Sequence, residues 1–260
     1  MSDSVQTTVE DGIATLRLCR GKAMNSLDAD TARAIRDAVE AFGADEAVRV
    51  MVLAGEGKAF SAGGDFNWVL TWPELDAITR HAGADAIMGA VQAIYDFPKP
   101  SIARVHGAAV GGGIGLMLAC DFAVAASTAR FGLTSVRNGL LAAIAIPVLI
   151  ETIGPRMARQ LLMHGGTFDA ATALRIGLVD QVVEGDQLDA TVVALAGELK
   201  LGAPSVQMLV KKLITQMDAL PHDPGAADIL GEYVANQSVS EEALEGMSAF
   251  LAKRKPRWAV

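Results

Sequence analysis

Two short stretches hold residues whose types and spacing could do chemistry. Residues 109–121 read "AVGGGIGLMLACD", with Gly111, Gly112 and Gly113 in a row and Gly115 after Ile114. Residues 55–68 read "GEGKAFSAGGDFNW", with Ser61, Gly63 and Gly64 at a bend and Asp65 just beyond. A glycine inside a helix or strand costs about 0.5–1 kcal/mol relative to alanine, so a cluster of them needs a use. Bare backbone is that use. The first N–H groups of a helix have no intrahelical partner and point outward with the positive end of the dipole. Without Cβ atoms beside them, they can bind an anion or stabilise a carbonyl oxygen as it gains negative charge. Each turn taken alone is equally a tight strand-to-helix connection. Two of them, following neighbouring parallel strands, can aim one N–H each at a single oxygen.

Other chemistries fail on register. The dinucleotide fingerprint G-x-G-x-x-G would need glycine where Leu116 or Leu118 stands, and no G-x-x-x-x-G-K-[ST] occurs. Cys19 and Cys120 lie in or beside apolar runs, with no C-x-x-C pair and no His/Cys spacing for a metal, so they read as buried, reduced thiols and no metal site is expected. His81, His106, His164 and His222 each stand alone and read as structural, with His106 at a strand end the best placed for another role.

Elements must position the two turns. "TTVEDGIATLRL" (7–18) predicts a hairpin around Asp11-Gly12. "SLDADTARAIRDAVEAF" predicts a helix capped by Ser26 or Asp28. "VRVMVLAG" (48–55) and "PSIARVHG" (100–107) read as buried parallel strands, separated by a helical stretch from about Trp72 to Tyr95. "DFAVAAS" (121–127) and "GLVDQVV" (177–183) supply further strands. Strands alternate with helices to about residue 185, which makes the core α/β with crossover connections. Beyond it the pattern is helical, and "LGAPS" breaks the chain near 200–204. The expected division is an α/β core over 1–200 and a helical region over 201–260.

Composition bounds the rest. The 260 residues are 51% hydrophobic and 20% charged, enough for a sizeable core and too apolar for disorder. A net charge of −8 argues against a nucleic-acid partner. The N-terminus shows no basic and apolar leader, and neither Val105–Cys120 nor Asn138–Ile150 approaches the ~20 apolar residues of a membrane span. A cytoplasmic protein with no membrane partner is expected.

The segments "KAFSAGGDFNW", "PKPSIARVHGAAVGGGIGLMLACDFAVAASTARFGLTSVRNGL", "IGPRMARQLLMHGGTFDAATALRIGLVDQVV" and "EGMSAFLAKRKPRW" together resemble the enoyl-CoA hydratase/isomerase (crotonase) family over essentially the whole chain. Within it, "DFNW" and "FGLTSVRNGLLAA" look most like the methylglutaconyl- and carboxygeranoyl-type hydratases. The resemblance implies the crotonase (ClpP-like) spiral of ββα units with a C-terminal helical trimerisation region. It implies an acyl-CoA thioester as substrate, no cofactor beyond the coenzyme A of that substrate, and a homotrimer or dimer of trimers. Carried over, the N–H groups of Gly64 and Gly112 would polarise the thioester carbonyl and stabilise an enolate. Backbone around Lys22, Ala23 and Met24 and around Lys58, Ala59, Phe60 and Ala62 would hold the adenine and pantetheine parts. Lys58 either faces the CoA phosphates or is a solvated lysine. Phe250 and Lys253 match positions that approach CoA from a neighbouring subunit.

The pattern breaks at the acid–base residues. The family's hydratases place one glutamate two residues past the triple glycine and another in F-G-x-x-E. Here those positions are Gly115 and Ser135. General acid–base catalysis is worth about 10²–10⁴-fold and needs a group that exchanges a proton near the working pH. Glycine has none, and a serine hydroxyl needs a base beside it. Arg137 either reaches the cavity, where it would suit a carboxylated acyl group, or lies on the surface. Asp65, beside the first turn, is read as the cap of the following helix. Three functions follow: a hydratase or isomerase moving protons by another group; a decarboxylation or thioester hydrolysis of the crotonase type; or a weakly catalytic acyl-CoA-binding protein.

Overall fold

The computed structural model describes residues 4–218 and 225–259. A hairpin of β1 (Val5–Glu10) and β2 (Ile13–Leu18) opens the chain, followed by α1 (Ala29–Ala44), which Asp28 caps by accepting the Thr31 N–H at 2.8 Å. Next come β3 (Val50–Gly55), the short α2 (Phe66–Val69) and α3 (Ala77–Tyr95). The expected helix from Trp72 is thus divided: Trp72–Glu74 is a 3₁₀ turn with Pro73 in it, and Asp76 caps a new helix by accepting from Thr79 N–H. The chain continues through β4 (Ser101–Val105), β5 (Ala108–Val110), α4 (Gly112–Leu118), β6 (Phe122–Ala126), β7 (Arg130–Gly132), α5 (Ile146–His164), β8 (Thr167–Asp169), α6 (Ala170–Arg175) and β9 (Gln181–Val183). The strand expected over 177–183 is only its last part, because Gly177 at φ +75° belongs to the turn that ends α6. Four helices close the described chain: α7 (Leu188–Leu199), α8 (Pro204–Asp218), α9 (Ala226–Ser238) and α10 (Glu241–Leu251). His222 lies outside the described residues.

The larger sheet has the order β1-β2-β3-β4-β6-β9, parallel except for β1. Its period-two alternation sorts side chains onto two faces. Met51, Leu53, Ala103, Val105, Ala123 and Ala125 face the main core with α1, α3 and α4. Val50, Val52, Ile102, Val124 and Ala126 face α7 through Leu188, Val192 and Ala196. Burying a Leu, Ile or Val side chain fully stabilises by about 1.5–3 kcal/mol, so both faces hold the sheet rigid.

A second sheet, β5-β7-β8, has no counterpart among the expected elements. The chain alternates between the two sheets: β4 then β5, β6 then β7, β8 then β9. The result is an α/β spiral whose turns place the β3 and β4 exits side by side, with the helical region following it.

Candidate active site

The first glycine turn is held on two sides. Ser61 N–H donates to Ala108 O at 3.0 Å and Val110 N–H to Ser61 O at 2.9 Å, seating the turn against β5. Opposite, Ala62 N–H donates to Met24 O, Leu27 N–H to Gly63 O at 2.7 Å and Asp65 N–H to Leu27 O at 2.8 Å. Phe60 N–H goes to His106 O, and Gly63 N–H to the Ser61 hydroxyl. Each N–H from Phe60 to Asp65 is therefore spent, save one. Gly64 N–H has no acceptor among the described residues, and a Cβ on Gly64 would meet nothing within 4 Å.

The second turn meets the first. Gly111, at φ +54°, turns β5 into α4, donating its own N–H to Gly132 O. A Cβ on Gly63 would lie 2.6 Å from Val110 O and 2.8 Å from Gly112 N, and one on Gly113 would run into Ser61 O. Any side chain at either place would push the turns apart. The N–H groups of Gly112 and Gly113 head α4 with no acceptor among the described residues. Two unspent donors, Gly64 and Gly112, thus flank Gly63.

The surroundings of α4 decide what positions 115 and 135 can hold. Gly112 and Gly115 are three residues apart and share a helix face. A Cβ on Gly112 would lie 3.6 Å from both Ile144 Cγ2 and Leu27 Cδ1. One on Gly115 would lie 3.4 Å from Ile144 O and 3.5 Å from Ala145 Cα. A side chain at 115 therefore starts out against main chain. Ser135, half-buried in the 3₁₀ turn Thr134–Asn138, brings its Oγ within 3.4 Å of a Cβ placed on Gly111. That hydroxyl makes no hydrogen bond among the described residues, and no described histidine bonds to it: His81 pairs with Asp85, and His106 bonds Gly57 and Arg104. No group of three His, Cys, Asp or Glu suited to a metal occurs among the described residues.

The remaining expected site residues fall into three groups. Lys22, Ala23 and Met24 lie exposed on the 3₁₀ turn after β2, next to exposed Lys58, half-buried Ala62 and the buried side chains of Ala59 and Phe60. There, Asn25 Nδ2 donates to Ala59 O at 2.8 Å and to Glu56 O at 3.0 Å, locking the two loops together. Arg137 is exposed and donates from Nε to His164 O at 3.2 Å, at the end of α5. Phe250 is 80% exposed, and Lys253 is exposed in the turn beyond α10.

Asp65 is buried and fully engaged. Its Oδ2 accepts from Arg20 Nη2 at 2.8 Å and Ser26 Oγ at 3.1 Å, and its Oδ1 caps α2 by accepting Asn67 N–H at 3.0 Å and Trp68 N–H. Burial pushes its carboxyl upward, but the Arg20, Trp68 and Ser26 hydrogen bonds outweigh that and hold it below the ordinary value. It is a structural anion rather than a spare base. His106 is pushed down chiefly by burial. Arg104 Nη1 can only donate to its Nδ1, at 3.1 Å, so Nε2 carries the proton that faces Gly57 O at 3.0 Å. Neutral His106 fixes the Glu56–Lys58 loop.

Sequence reasoning passed over Arg20 and Ile144. Ile144 sits in an apolar run with no signal of its own. Arg20 lies 45 residues from Asp65, and nothing in the sequence between them links the two.

An α/β spiral with two glycine turns packed against each other beyond its strand ends defines a class of fold. The chain matches the Enoyl-CoA hydratase/isomerase family profile over residues 8–260, and it belongs to that family. It is 34% identical over 248 residues to the crotonyl-CoA hydratase of Syntrophomonas wolfei, covering 95% of this chain and 94% of that one. It is 34% identical over 267 residues to a carnitinyl-CoA dehydratase of Salmonella typhi, covering 99% of each. Among solved structures, an enoyl-CoA hydratase of Shewanella pealeana superposes with a TM-score of 0.93 at 32% identity, covering 98% of this chain and 96% of that one. The fold is the crotonase fold. No helix among the described residues is long and apolar enough to cross a membrane.

Proposed function

We propose that this chain processes acyl-CoA thioesters by holding the thioester oxygen between the N–H groups of Gly64 and Gly112 and stabilising the enolate that forms. One observation carries the reading: each N–H from Phe60 to Asp65 is spent except that of Gly64, and it flanks Gly63 with the unspent Gly112. Donors fixed in advance stabilise developing charge without reorganising, and one such donor is typically worth about 10²–10³ in rate. The loops around Lys22–Met24 and Lys58–Ala62 hold the rest of the CoA, and no further cofactor is needed. The chain works in the cytoplasm as a homotrimer or dimer of trimers, with exposed Phe250 and Lys253 reaching a neighbour's CoA.

Proton transfer is what the site does without. With Gly115 and Ser135 at the glutamate positions, and Asp65 committed to Arg20, the reaction relies on the oxyanion hole and on water or the Ser135 hydroxyl. That favours decarboxylation, in which loss of CO2 itself leaves the enolate, or thioester hydrolysis over fast hydration of crotonyl-CoA; isomerisation, or hydration of a carboxylated enoyl-CoA of the methylglutaconyl type, has to move its protons through that water or hydroxyl. The test is a turnover panel of crotonyl-CoA, a 3-enoyl-CoA, malonyl-type and branched carboxylated thioesters, with butyryl-CoA binding measured alongside. Binding with preferential turnover of a member other than crotonyl-CoA is expected. Fast crotonyl-CoA hydration would contradict the assignment of the acid–base positions, and failure to bind any CoA thioester would overturn the whole reading.

A further inference from the structure

Arg20 sits just past β2 and is surrounded by oxygens. Its Nη1 donates to the main-chain carbonyl of Ser26 at 2.7 Å and pairs with Asp28 Oδ2 at 2.9 Å; its Nη2 donates to Asp65 Oδ2 at 2.8 Å. The contact with Ser26 has a consequence beyond local packing. A peptide unit is planar and trans, so its C=O and N–H point in opposite directions along one dipole. The unit that carries the Ser26 carbonyl also carries the Leu27 N–H. That N–H donates to Gly63 O at 2.7 Å, and the unit that carries the Gly63 carbonyl also carries the Gly64 N–H. Guanidinium, Ser26–Leu27 peptide and Gly63–Gly64 peptide therefore form one head-to-tail chain, and its open end is the unspent donor.

We propose that Arg20 is the positioning residue of the oxyanion hole: it heads a relay of two peptide units that aims the Gly64 N–H and strengthens it as a donor. The inference rests on the reading of Gly64 as an oxyanion donor. Hydrogen bonds in a chain polarise one another, by about 10–30% per bond, and a cation at the head drives electron density in the direction that makes the terminal N–H more positive. Asp28 and Asp65 balance the guanidinium charge at long range, so the directional effect passes through the bonds themselves. The same residue grips the CoA-holding side: its carbonyl accepts Ala23 N–H at 2.8 Å and Asn25 N–H at 3.0 Å, shaping the turn that carries Lys22 and Met24. Asp65 completes the clamp by accepting from Arg20, Ser26 and the head of α2 at once. Gly64 is thereby fixed from both neighbouring peptide units, through Gly63 O and Asp65 N–H.

The test reads the thioester carbonyl itself. Butyryl-CoA labelled with ¹³C at the thioester carbonyl is bound to wild type, Arg20→Lys, Arg20→Gln and Arg20→Met, and the isotope-edited infrared band is compared with that of the free ligand. Wild type is expected to shift the band to lower frequency. Neutral Arg20→Met and Arg20→Gln lose roughly a quarter or more of that shift, as two coupled bonds weaken, and Arg20→Lys falls between. Arg20→Gln keeps a donor for Ser26 and serves if Arg20→Met fails to fold. A merely structural arginine would lower melting temperature or affinity without moving the bound band. An unchanged band across all folded variants overturns the relay while leaving the oxyanion hole intact. No shift in wild type overturns the Gly64 and Gly112 reading itself, and the relay with it.

Discussion

Among the described residues, the Gly63–Asp65 turn leaves one N–H unspent and the head of α4 leaves two, yet the two turns are built by different means. The first is a web of side-chain and main-chain bonds, with Arg20, Ser26, Asn25, Ser61 and Asp65 all donating or accepting. The second has no polar side chain in it. Main-chain bonds from Gly111 N–H to Gly132 O and from Val110 N–H to Ser61 O anchor it, and close contact does the rest, with Gly113 against Ser61 O and Gly112 between Leu27 and Ile144. One donor is aimed by polarity and the other by close packing. Past the second donor the polarity stops altogether, because Gly115 faces Ile144–Ala145 main chain and Ser135 Oγ has no partner among the described residues. On the proposed reading, the site has a charge-stabilising side and no carboxylate at the two positions where the family's hydratases carry one.

The largest effect should come from the packed donor. Gly112 is the first residue of α4, a position where proline fits because its missing N–H has no intrahelical role. A Cβ there meets neighbours at 3.6–3.7 Å, ordinary contact. Gly112→Pro should therefore fold and lose about 10²–10³ in kcat on the preferred thioester, whereas Gly112→Ala, which keeps the N–H, should stay within a few-fold. Equal losses in both variants would mean that space, not the donor, matters there.

A smaller gain is expected on the other side. Ser135→Glu places a carboxyl beside Gly111 and should raise crotonyl-CoA hydration toward the ~10²-fold lower end of general acid–base effects. Gly115→Glu alone should add nothing, since position 115 opens onto main chain. Steady-state rates at saturating substrate separate the two.

The smallest effect concerns the polar turn. Asp65 has a folded-state value below its ordinary 3.8, so the stability it contributes is complete above that value and is lost as pH falls through the lower folded one. The gap in melting temperature between wild type and Asp65→Asn should be constant above about pH 5 and shrink below about pH 4. A gap unchanged down to about pH 2.5 would mean that the carboxylate charge contributes nothing there.

Much of this was legible in sequence, for physical reasons. The long strands and α1 show their period, so β1–β4, β6 and the Asp65 cap could be read directly, while the cap of α1 was narrowed only to Ser26 or Asp28 and the structure gives Asp28. The strands β5, β7 and β8 have three residues each, too few to display a period, and the second sheet went unread. The two glycine turns stood out by type and spacing, and the resemblance to the family then picked out Gly64, Gly112, Gly115 and Ser135 within and beyond them. Arg20 and Ile144 did not stand out, because an arginine 45 residues from its carboxylate and an isoleucine against a glycine acquire meaning only once the spiral brings them together.

The most direct measurement is a crystal structure of the protein with butyryl-CoA bound. The thioester oxygen should lie about 2.7–3.1 Å from both Gly64 N and Gly112 N, with the Arg20–Ser26 and Leu27–Gly63 bonds intact. A thioester oxygen bound elsewhere, or touching only one of the two donors, would contradict the assignment.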